Sequence, residues 1–160
     1  MTDDALNTPQ GDEDPTVVHV DQFLAHPPTT VWRALTEPDL LAQWMMPGDF
    51  RLEVGHRYTM EAVPVPATNF SGTVQAEVLA YEPERMLRLS WADAYPERGN
   101  DMVSTVTWTL EPEGRGTRLF LVQKGFEAGN ELHQRARRIM GGGWKSHVIA
   151  ALERFLDKTD

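Results

Sequence analysis

The sequence of 160 residues contains no cysteine. Disulfide bonds, thiolate nucleophiles and zinc sites built from cysteine are therefore excluded. Long hydrophobic runs are absent as well, since no stretch approaches the roughly 20 apolar residues that a membrane-spanning helix needs. No apolar segment follows a positively charged N-terminus, as it would in a secretory signal. These absences predict a soluble, cytoplasmic protein.

Basic residues are scarce relative to acidic ones. Lys and Arg number 15 against 24 Asp and Glu, which gives a net charge of −9 at pH 7. Nucleic-acid binding depends on Lys and Arg to neutralise phosphates, and anionic membrane surfaces attract the same two residue types. The composition therefore predicts that neither a nucleic acid nor a membrane is a partner.

The acidic residues are concentrated at the N-terminus. Residues 1–15 contain five acids, no base and two prolines. Because such a segment cannot bury enough apolar surface to order itself, we expect residues 1–15 to be a disordered acidic tail. A solvated chain end is favoured over an interaction arm. Residues 16–158 are predicted to form a single domain.

Motifs for metal binding and covalent catalysis are also missing. The five histidines do not form the helical pattern of two His and one Glu that binds zinc. His133 and His147 lie about four helical turns apart, too far to share a metal on a straight helix. No phosphate-binding loop, nucleophile elbow or Ser-His-Asp order occurs. We therefore expect no metal and no cofactor, assign no catalytic residue, and favour a binding protein over an enzyme.

Most of the chain has the pattern of short strands separated by turns. Apolar and polar residues alternate in several segments that end at Gly, Pro or Asp. Gly55 is expected to join the second and third strands as a hairpin. Strands are predicted over Val17–Leu24, Phe50–Val54, Arg57–Val63, Phe70–Tyr81, Met86–Trp91, Met102–Leu110 and Thr117–Gln123.

Two short helices are expected after the first strand. Pro27 and Pro28 end that strand, and proline is tolerated in the first turn of a helix. One helix should run from here through Trp32, and a second should begin at Pro38 and include Trp44. Strand runs with segregated helices indicate the α+β class with an antiparallel sheet.

The C-terminal segment has the pattern of one long helix interrupted by glycine. Gly141, Gly142 and Gly143 stand together in this segment, although each glycine in a helix interior costs about 1 kcal/mol relative to alanine. We infer a bend, a close approach to the sheet, or room for a ligand. The apolar stripe at helical spacing comprises Leu132, Ala136, Ile139, Met140, Trp144, Val148, Ala151, Leu152 and Phe155.

The order of these elements, with particular residues in them, resembles the helix-grip or START-like superfamily, also called SRPBCC. Within that superfamily, the chain resembles the activator of Hsp90 ATPase homologue-like proteins over roughly residues 16–157. The matching segments are residues 31–36, 40–44, 83–87, 105–108 and 116–119, together with Gly55, Tyr58, Gly72, Val74, Val78, Trp91, Gly143, Trp144 and Leu152.

The resemblance implies a Bet v allergen-type fold, in which a curved antiparallel sheet of about six to seven strands surrounds a long C-terminal helix. Such proteins often keep an apolar cavity between sheet and helix. Family members bind lipids, sterols, polyketides or other hydrophobic ligands, whereas some are cyclases or hydrolases and others are co-chaperone domains. The eukaryotic Hsp90 activator carries a further N-terminal domain, which we do not expect in this chain of 160 residues.

Aromatic residues are the main candidates for lining such a cavity. An indole offers a large apolar face and a polar N–H group, although plain core packing is the alternative for any single tryptophan. Trp144 is the strongest candidate because it follows the glycines directly. Met45 and Met46 are pliable enough for a pocket mouth. The predicted ligand-binding residues are Trp44, Tyr58, Phe70, Trp91, Trp108, Met140, Trp144 and His147.

Three functions from different classes remain open on these grounds. The first is binding of a small hydrophobic or amphipathic ligand by a monomer or homodimer. The second is docking on a chaperone, which predicts a closed interior and an exposed apolar patch. The third is a cyclase or hydrolase, which predicts a buried titratable group with a shifted pKa among Glu61, Glu77 and His147. Glu61 and Glu77 are expected to face outward, as strand acids usually do.

Overall fold

The computed structural model describes residues 14–159 and consists of one antiparallel sheet packed on helices. The six strands lie in the order β1-β6-β5-β4-β3-β2, which agrees with the α+β helix-grip fold that the resemblance implies. The predicted tail falls almost wholly outside the described residues. The strands are β1 (Val17–Leu24), β2 (Arg57–Glu61), β3 (Thr73–Glu82), β4 (Met86–Asp93), β5 (Val103–Glu113) and β6 (Gly116–Lys124).

Two short helices follow β1, as predicted. Helix α1 (Pro28–Thr36) and helix α2 (Pro38–Trp44) both have proline in the first turn, where the missing N–H group costs nothing. Trp44 Nε1 donates a hydrogen bond of 2.9 Å to the carbonyl oxygen of Ala34. This bond fixes α2 against α1, and both helices contact the C-terminal end of the chain.

The hairpin predicted around Gly55 is wrong. Residues 50–54 form a turn, in which the Glu53 N–H donates to Arg51 O over 2.9 Å. The backbone at Gly55 and His56 instead continues the ladder with Val78 of β3. Phe50 is buried because its ring packs edge-on against Tyr58, with 5.3 Å between ring centroids. Its apolar character therefore reflects a core contact made from a loop.

Several other strand ends also differ from the prediction, and two of them bear on the residues that face the helix. β3 begins at Thr73 and not at Phe70, because Gly72 has a φ of +105° that breaks the extended backbone. β4 continues past Trp91 to Asp93. The residues that face the helix therefore include Leu87, Leu89, Trp91 and Asp93, all buried at alternate positions.

The C-terminal helix is continuous but contains one π turn. Helix α3 (Glu131–Gly143) leads into a π-helical segment (Trp144–Ile149), and helix α4 (Ala150–Thr159) completes the chain. A π turn inserts an extra residue into the helical repeat. The residue fully buried one turn after Trp144 is therefore Ile149, whereas an α-helical repeat predicts Val148.

The inserted residue shifts the buried stripe of the last helix. Leu152 and Leu156 are 0% and 2% exposed, and they continue the repeat that begins at Ile149. Phe155, which the α-helical spacing predicts for the buried stripe, is only half-buried. Within residues 14–159, no helix is long and apolar enough to cross a membrane.

Candidate ligand-binding pocket

A cavity of about 230 Å³ lies between the sheet and the C-terminal helix. Ile139, which is 41% exposed, belongs to its rim. The segment after α2 contributes two methionines to the lining. The lining residues are Met45, Met46, Ala62, Val65, Thr68, Phe70, Val74, Trp91, Ala92, Asp93, Asn100, Met102, Ala136, Ile139, Met140, Gly143, Trp144 and Val148.

The three glycines of the helix do not mark a close approach to the sheet. A Cβ atom at Gly142 or Gly143 would meet no neighbouring atom within 4 Å, and one at Gly141 would meet only Val18 at an ordinary 3.8 Å. Gly143 lines the cavity, whereas Gly142 faces outward. The helix is therefore spaced from the sheet by a gap at Gly143, and this gap is part of the cavity.

A chain of buried hydrogen bonds holds the Trp144 indole in place. Trp144 Nε1 donates to Gln123 Oε1 over 2.8 Å, and Gln123 Nε2 donates to Ser104 Oγ over 2.9 Å. Ser104 Oγ in turn donates to the carbonyl oxygen of Trp91 over 2.9 Å. The rings of Trp91 and Trp144 lie 5.2 Å apart between centroids. The two indoles thus form one wall of the cavity. The hydrogen bonds behind this wall connect the helix to β6, β5 and β4.

The polar lining residues are few: Thr68, Asp93 and Asn100. All three are largely buried, with 4%, 6% and 6% of their surface exposed. Asn100 Nδ2 donates to Thr68 O over 2.9 Å, and its Oδ1 accepts from the Met102 N–H over 3.2 Å. Asn100 therefore holds the loop that contains Thr68 against the start of β5.

Asp93 is the one titratable residue among the lining residues that the structure describes. Its Oδ1 accepts hydrogen bonds from the Ser71 hydroxyl and, over 2.9 Å, from the Tyr95 N–H. Its Oδ2 accepts from the Ser71 N–H over 2.8 Å. The carboxylate thus joins the end of β4 to the loop before β3, and Asp93 is one of the residues that line the cavity.

The loop between β2 and β3 forms one side of the cavity and is held from the helix as well. Arg135 Nη1 of α3 donates to the carbonyl oxygen of Ala67 over 2.9 Å. Together with the hydrogen bond from Asn100 to Thr68, this contact fixes the short 3₁₀ turn Pro66–Thr68. The cavity wall is therefore braced from both the sheet and the helix.

Four of the eight predicted ligand-binding residues line the cavity. Phe70, Trp91, Met140 and Trp144 come together there, and their role as ligand contacts stays a prediction. The helical glycines and the sheet alternation were the signals that pointed to this region. The other four residues, Trp44, Tyr58, Trp108 and His147, lie elsewhere.

Trp44 and Trp108 pack in the core behind the cavity. Trp108 is 2% exposed and makes edge-to-face contacts with Trp44 and Trp144, at centroid distances of 6.4 and 5.9 Å. Trp108 therefore supports the cavity wall without lining it. Trp44 lies a further layer away, with its indole N–H bonded to Ala34.

Tyr58 and His147 are also outside the cavity. Tyr58 packs between Phe50 and His56, and burial raises the pKa of its phenol well above the ordinary value. His147 is exposed. It comes three residues after Trp144, and because a π turn takes more residues than an α turn, this spacing points it farther from Trp144 than the α-helical spacing does.

The other groups considered for catalysis face solvent. As expected for strand acids, Glu61 and Glu77 both lie on the outer face, where Thr73 Oγ1 donates to Glu61 and Arg57 Nε donates to Glu77. None of Glu61, Glu77 and His147 reaches the cavity. Over the part of the chain that the structure describes, no group of three His, Asp or Glu side chains could hold a metal ion.

Asp93 and Asn100 were missed by reasoning from the sequence, which places both between the predicted strands Met86–Trp91 and Met102–Leu110. A signal for Asp93 was present, since Leu87, Leu89 and Trp91 establish a period of two that Asp93 continues. No comparable pattern exists for Asn100, because its position depends on a hydrogen bond to a distant turn.

Comparisons with known proteins place this fold in a family. A family model described as activator of Hsp90 ATPase homolog 1-like protein matches residues 25–157. Protein MLL2253 from Mesorhizobium loti is 38% identical, with a TM-score of 0.77 and coverage of 90% of this chain and 98% of that one. No protein of curated function matches the sequence.

More distant structures share the fold alone. Protein CV1439 from Chromobacterium violaceum is 23% identical, with a TM-score of 0.68 and coverage of 90% of this chain and 99% of that one. CalU16 from Micromonospora echinospora is also 23% identical, with a TM-score of 0.68 and coverage of 89% of this chain and 77% of that one.

The family model covers residues 25–157, which is most of the length of this chain. The chain therefore belongs to the activator of Hsp90 ATPase homolog 1-like family.

Proposed function

We propose that this protein binds a small hydrophobic or amphipathic molecule in the cavity between the sheet and the C-terminal helix. The observation that carries the proposal is the gap at Gly143, where an apolar cavity of about 230 Å³ replaces the packing found elsewhere in the core. Protein interiors are otherwise close-packed, with few voids larger than a water molecule. A cavity of this size at a braced and largely apolar site is therefore a feature that requires an explanation.

The volume limits the ligand. An engineered apolar cavity of about 150 Å³ binds benzene, so the present cavity has room for a somewhat larger ring system or a short aliphatic chain. A whole sterol or phospholipid would require the rim to move. Met45, Met46 and Met140 give the rim and wall adaptable side chains, whereas Trp91 and Trp144 supply fixed apolar faces.

Ligand binding is favoured over the two other functions. A chaperone-docking module predicts a closed interior, which the open cavity does not match. A cyclase or hydrolase needs a reactive group, and the titratable side chain in the described cavity lining, Asp93, already accepts three hydrogen bonds from Ser71 and Tyr95. We therefore assign Asp93 a structural and recognition role and propose no reaction.

The test uses a matched pair of glycine substitutions in the helix. Gly143→Leu places a side chain in the cavity, whereas Gly142→Leu places the same side chain on the outer face. Binding of a naphthalene-based ligand is measured by calorimetry for both variants and for the unaltered protein. We expect Gly143→Leu to weaken binding at least about tenfold and Gly142→Leu to leave it unchanged, because only the first fills the cavity.

Native mass spectrometry of the protein from its own host provides a second test. A retained small molecule that is lost in Gly143→Leu and kept in Gly142→Leu would support the pocket. Equal retention or equal binding in the two variants would place the ligand outside the cavity and overturn the proposed function.

A further inference from the structure

The described cavity lining includes one carboxylate, that of Asp93, but no basic side chain. Among the lining residues that the structure describes there is no Lys, Arg or His. Asp93 is only 6% exposed. A ligand anion placed beside Asp93 would therefore meet a like charge with no compensating cation. This charge distribution bears on the chemical class of the ligand, an inference that rests on the proposed function.

The Asp93 carboxylate has acceptor capacity left. An ionised carboxylate offers about four lone-pair positions, two on each oxygen. Oδ1 accepts two hydrogen bonds, from the Ser71 hydroxyl and the Tyr95 N–H, and Oδ2 accepts one from the Ser71 N–H. One position on Oδ2 therefore remains for a further donor.

The neighbouring polar residues offer an anion no charged donor. The Asn100 amide donates to Thr68 O and accepts from the Met102 N–H, so it is oriented by the loop. The Thr68 hydroxyl donates to Val65 O over 3.3 Å. The indole N–H of Trp144 is engaged by Gln123. The Thr68 hydroxyl and the Trp144 indole N–H are thus committed to the protein, and the neutral Asn100 amide has one N–H left. The charged group of the cavity, Asp93, is an acceptor with a position still available.

We infer that the cavity selects a ligand with an apolar body and a hydrogen-bond donor at one end, such as an alcohol, a phenol or an amine, and that it rejects carboxylates. Asp93 Oδ2 accepts the donor group. The apolar body packs against Trp91, Trp144 and the methionines. An unpaired charge is costly to bury, and like charges repel strongly in a medium of low dielectric constant, so a free fatty acid or an aromatic acid is disfavoured.

The test compares three probes with the same ring: naphthalenemethanol, naphthalenemethylamine and naphthoate. Their dissociation constants are measured by calorimetry at neutral pH on the full chain. We expect the alcohol and the amine to bind at least about tenfold more tightly than naphthoate. That ratio corresponds to about 1.4 kcal/mol of discrimination.

Two variants assign the discrimination to Asp93. Asp93→Asn keeps the shape and removes the charge, so we expect the ratio between alcohol and carboxylate to fall below about threefold. Glu111→Gln removes the same charge at an exposed position of β5 and should leave the ratio unchanged. If Asp93→Asn does not fold, because Ser71 and Tyr95 lose part of their acceptor, the ranking of the probes on the unaltered protein still decides.

The outcomes separate this inference from the proposed function. Equal affinities for the three probes, or tightest binding of naphthoate, would overturn the selectivity while leaving the pocket intact. An unchanged ratio in a folded Asp93→Asn variant would overturn the role of Asp93. Absence of binding by every probe would overturn the proposed function, and the inference with it.

Discussion

The C-terminal helix has two halves that pack differently against the same sheet. From the last residue of the π turn onward, Ile149, Leu152 and Leu156 are 1%, 0% and 2% exposed and fill the space beneath them. Before the π turn, Gly143 and the half-buried Met140 face a cavity of about 230 Å³. We refer to these as the packed half and the open half.

The comparison shows that one helix can both hold a fold together and leave space in it. The packed half also contacts α1 and α2, so it closes the core at one end. The open half is held by hydrogen bonds at its edges, from Trp144 to Gln123 and from Arg135 to Ala67. The open half therefore needs little side-chain volume of its own to stay in position.

The largest expected effect compares neighbouring residues at the π turn. Ile149→Ala should lower the free energy of unfolding by about 2–5 kcal/mol, because a fully buried side chain leaves a void. Val148→Ala should cost less than about half of that loss, because Val148 lines an existing cavity. Urea unfolding measures both values. A larger loss for Val148→Ala would mean that the helix keeps an α-helical register here, and the two halves would then not differ as described.

Removing the hydrogen bonds that hold the open half should have the next largest effect. Gln123→Ala leaves the buried Trp144 indole N–H without its acceptor and the Ser104 hydroxyl oxygen without the donor from Gln123, which should cost about 1–3 kcal/mol. Ligand affinity should fall as well, since Trp144 loses its fixed orientation. Chemical unfolding and calorimetric titration measure the two effects. Stability lost with affinity retained would show that the cavity wall does not depend on these bonds.

A smaller effect distinguishes helix propensity from occupied space. Gly142→Ala and Gly143→Ala should each stabilise the protein by up to about 1 kcal/mol, because alanine is the better helix former and neither new methyl group meets a neighbour. Only Gly143→Ala should reduce ligand affinity, since only Gly143 lines the cavity. Thermal unfolding and ligand titration provide the comparison. Destabilisation by Gly143→Ala would show that the gap at this position is already filled.

The smallest expected effect at neutral pH, where it is close to zero, concerns a residue outside the open half. Burial raises the pKa of Tyr58 in the folded protein, so the phenol stays protonated when the unfolded chain has begun to lose its proton. This contribution to stability is complete below the unfolded pKa of about 10 and decreases as pH rises above it, by at most about 1.4 kcal/mol per unit. Tyr58→Phe should remove this part of the alkaline loss. Identical alkaline unfolding curves for both proteins would show that Tyr58 is not buried in this way.

The sequence was sufficient for most of the fold but for only part of the site. Alternation in the strands, prolines at the starts of α1 and α2, and the apolar stripe of the last helix are local signals. They predicted the order of elements correctly except at residues 50–54, where the structure has a turn in place of the predicted strand. Phe50 was misleading because a loop residue that packs on Tyr58 has the same apolar character as a strand residue. The π turn was not predictable from spacing, since either Val148 or Ile149 can follow Trp144 as an apolar residue.

Only some of the cavity residues could likewise be predicted from the sequence. Trp91 and Trp144 were predicted because the alternation of β4 and the position of the glycines place them between helix and sheet. Trp44 and Trp108 could not be distinguished from them, because the choice between lining a cavity and supporting its wall depends on layers of packing. Asp93 was not predicted because a polar residue at this point is typical of a loop, although the alternation of β4 continues through Asp93.

The most direct measurement of the difference between the two halves is X-ray diffraction from a crystal of this protein under xenon pressure. Xenon occupies apolar cavities without any requirement for a particular ligand. We expect a strong xenon peak beside Gly143, Trp144 and Met140, and none beneath Ile149, Leu152 and Leu156. Absence of xenon beside Gly143, or side chains closed over that space, would contradict the open half on which the proposed function rests.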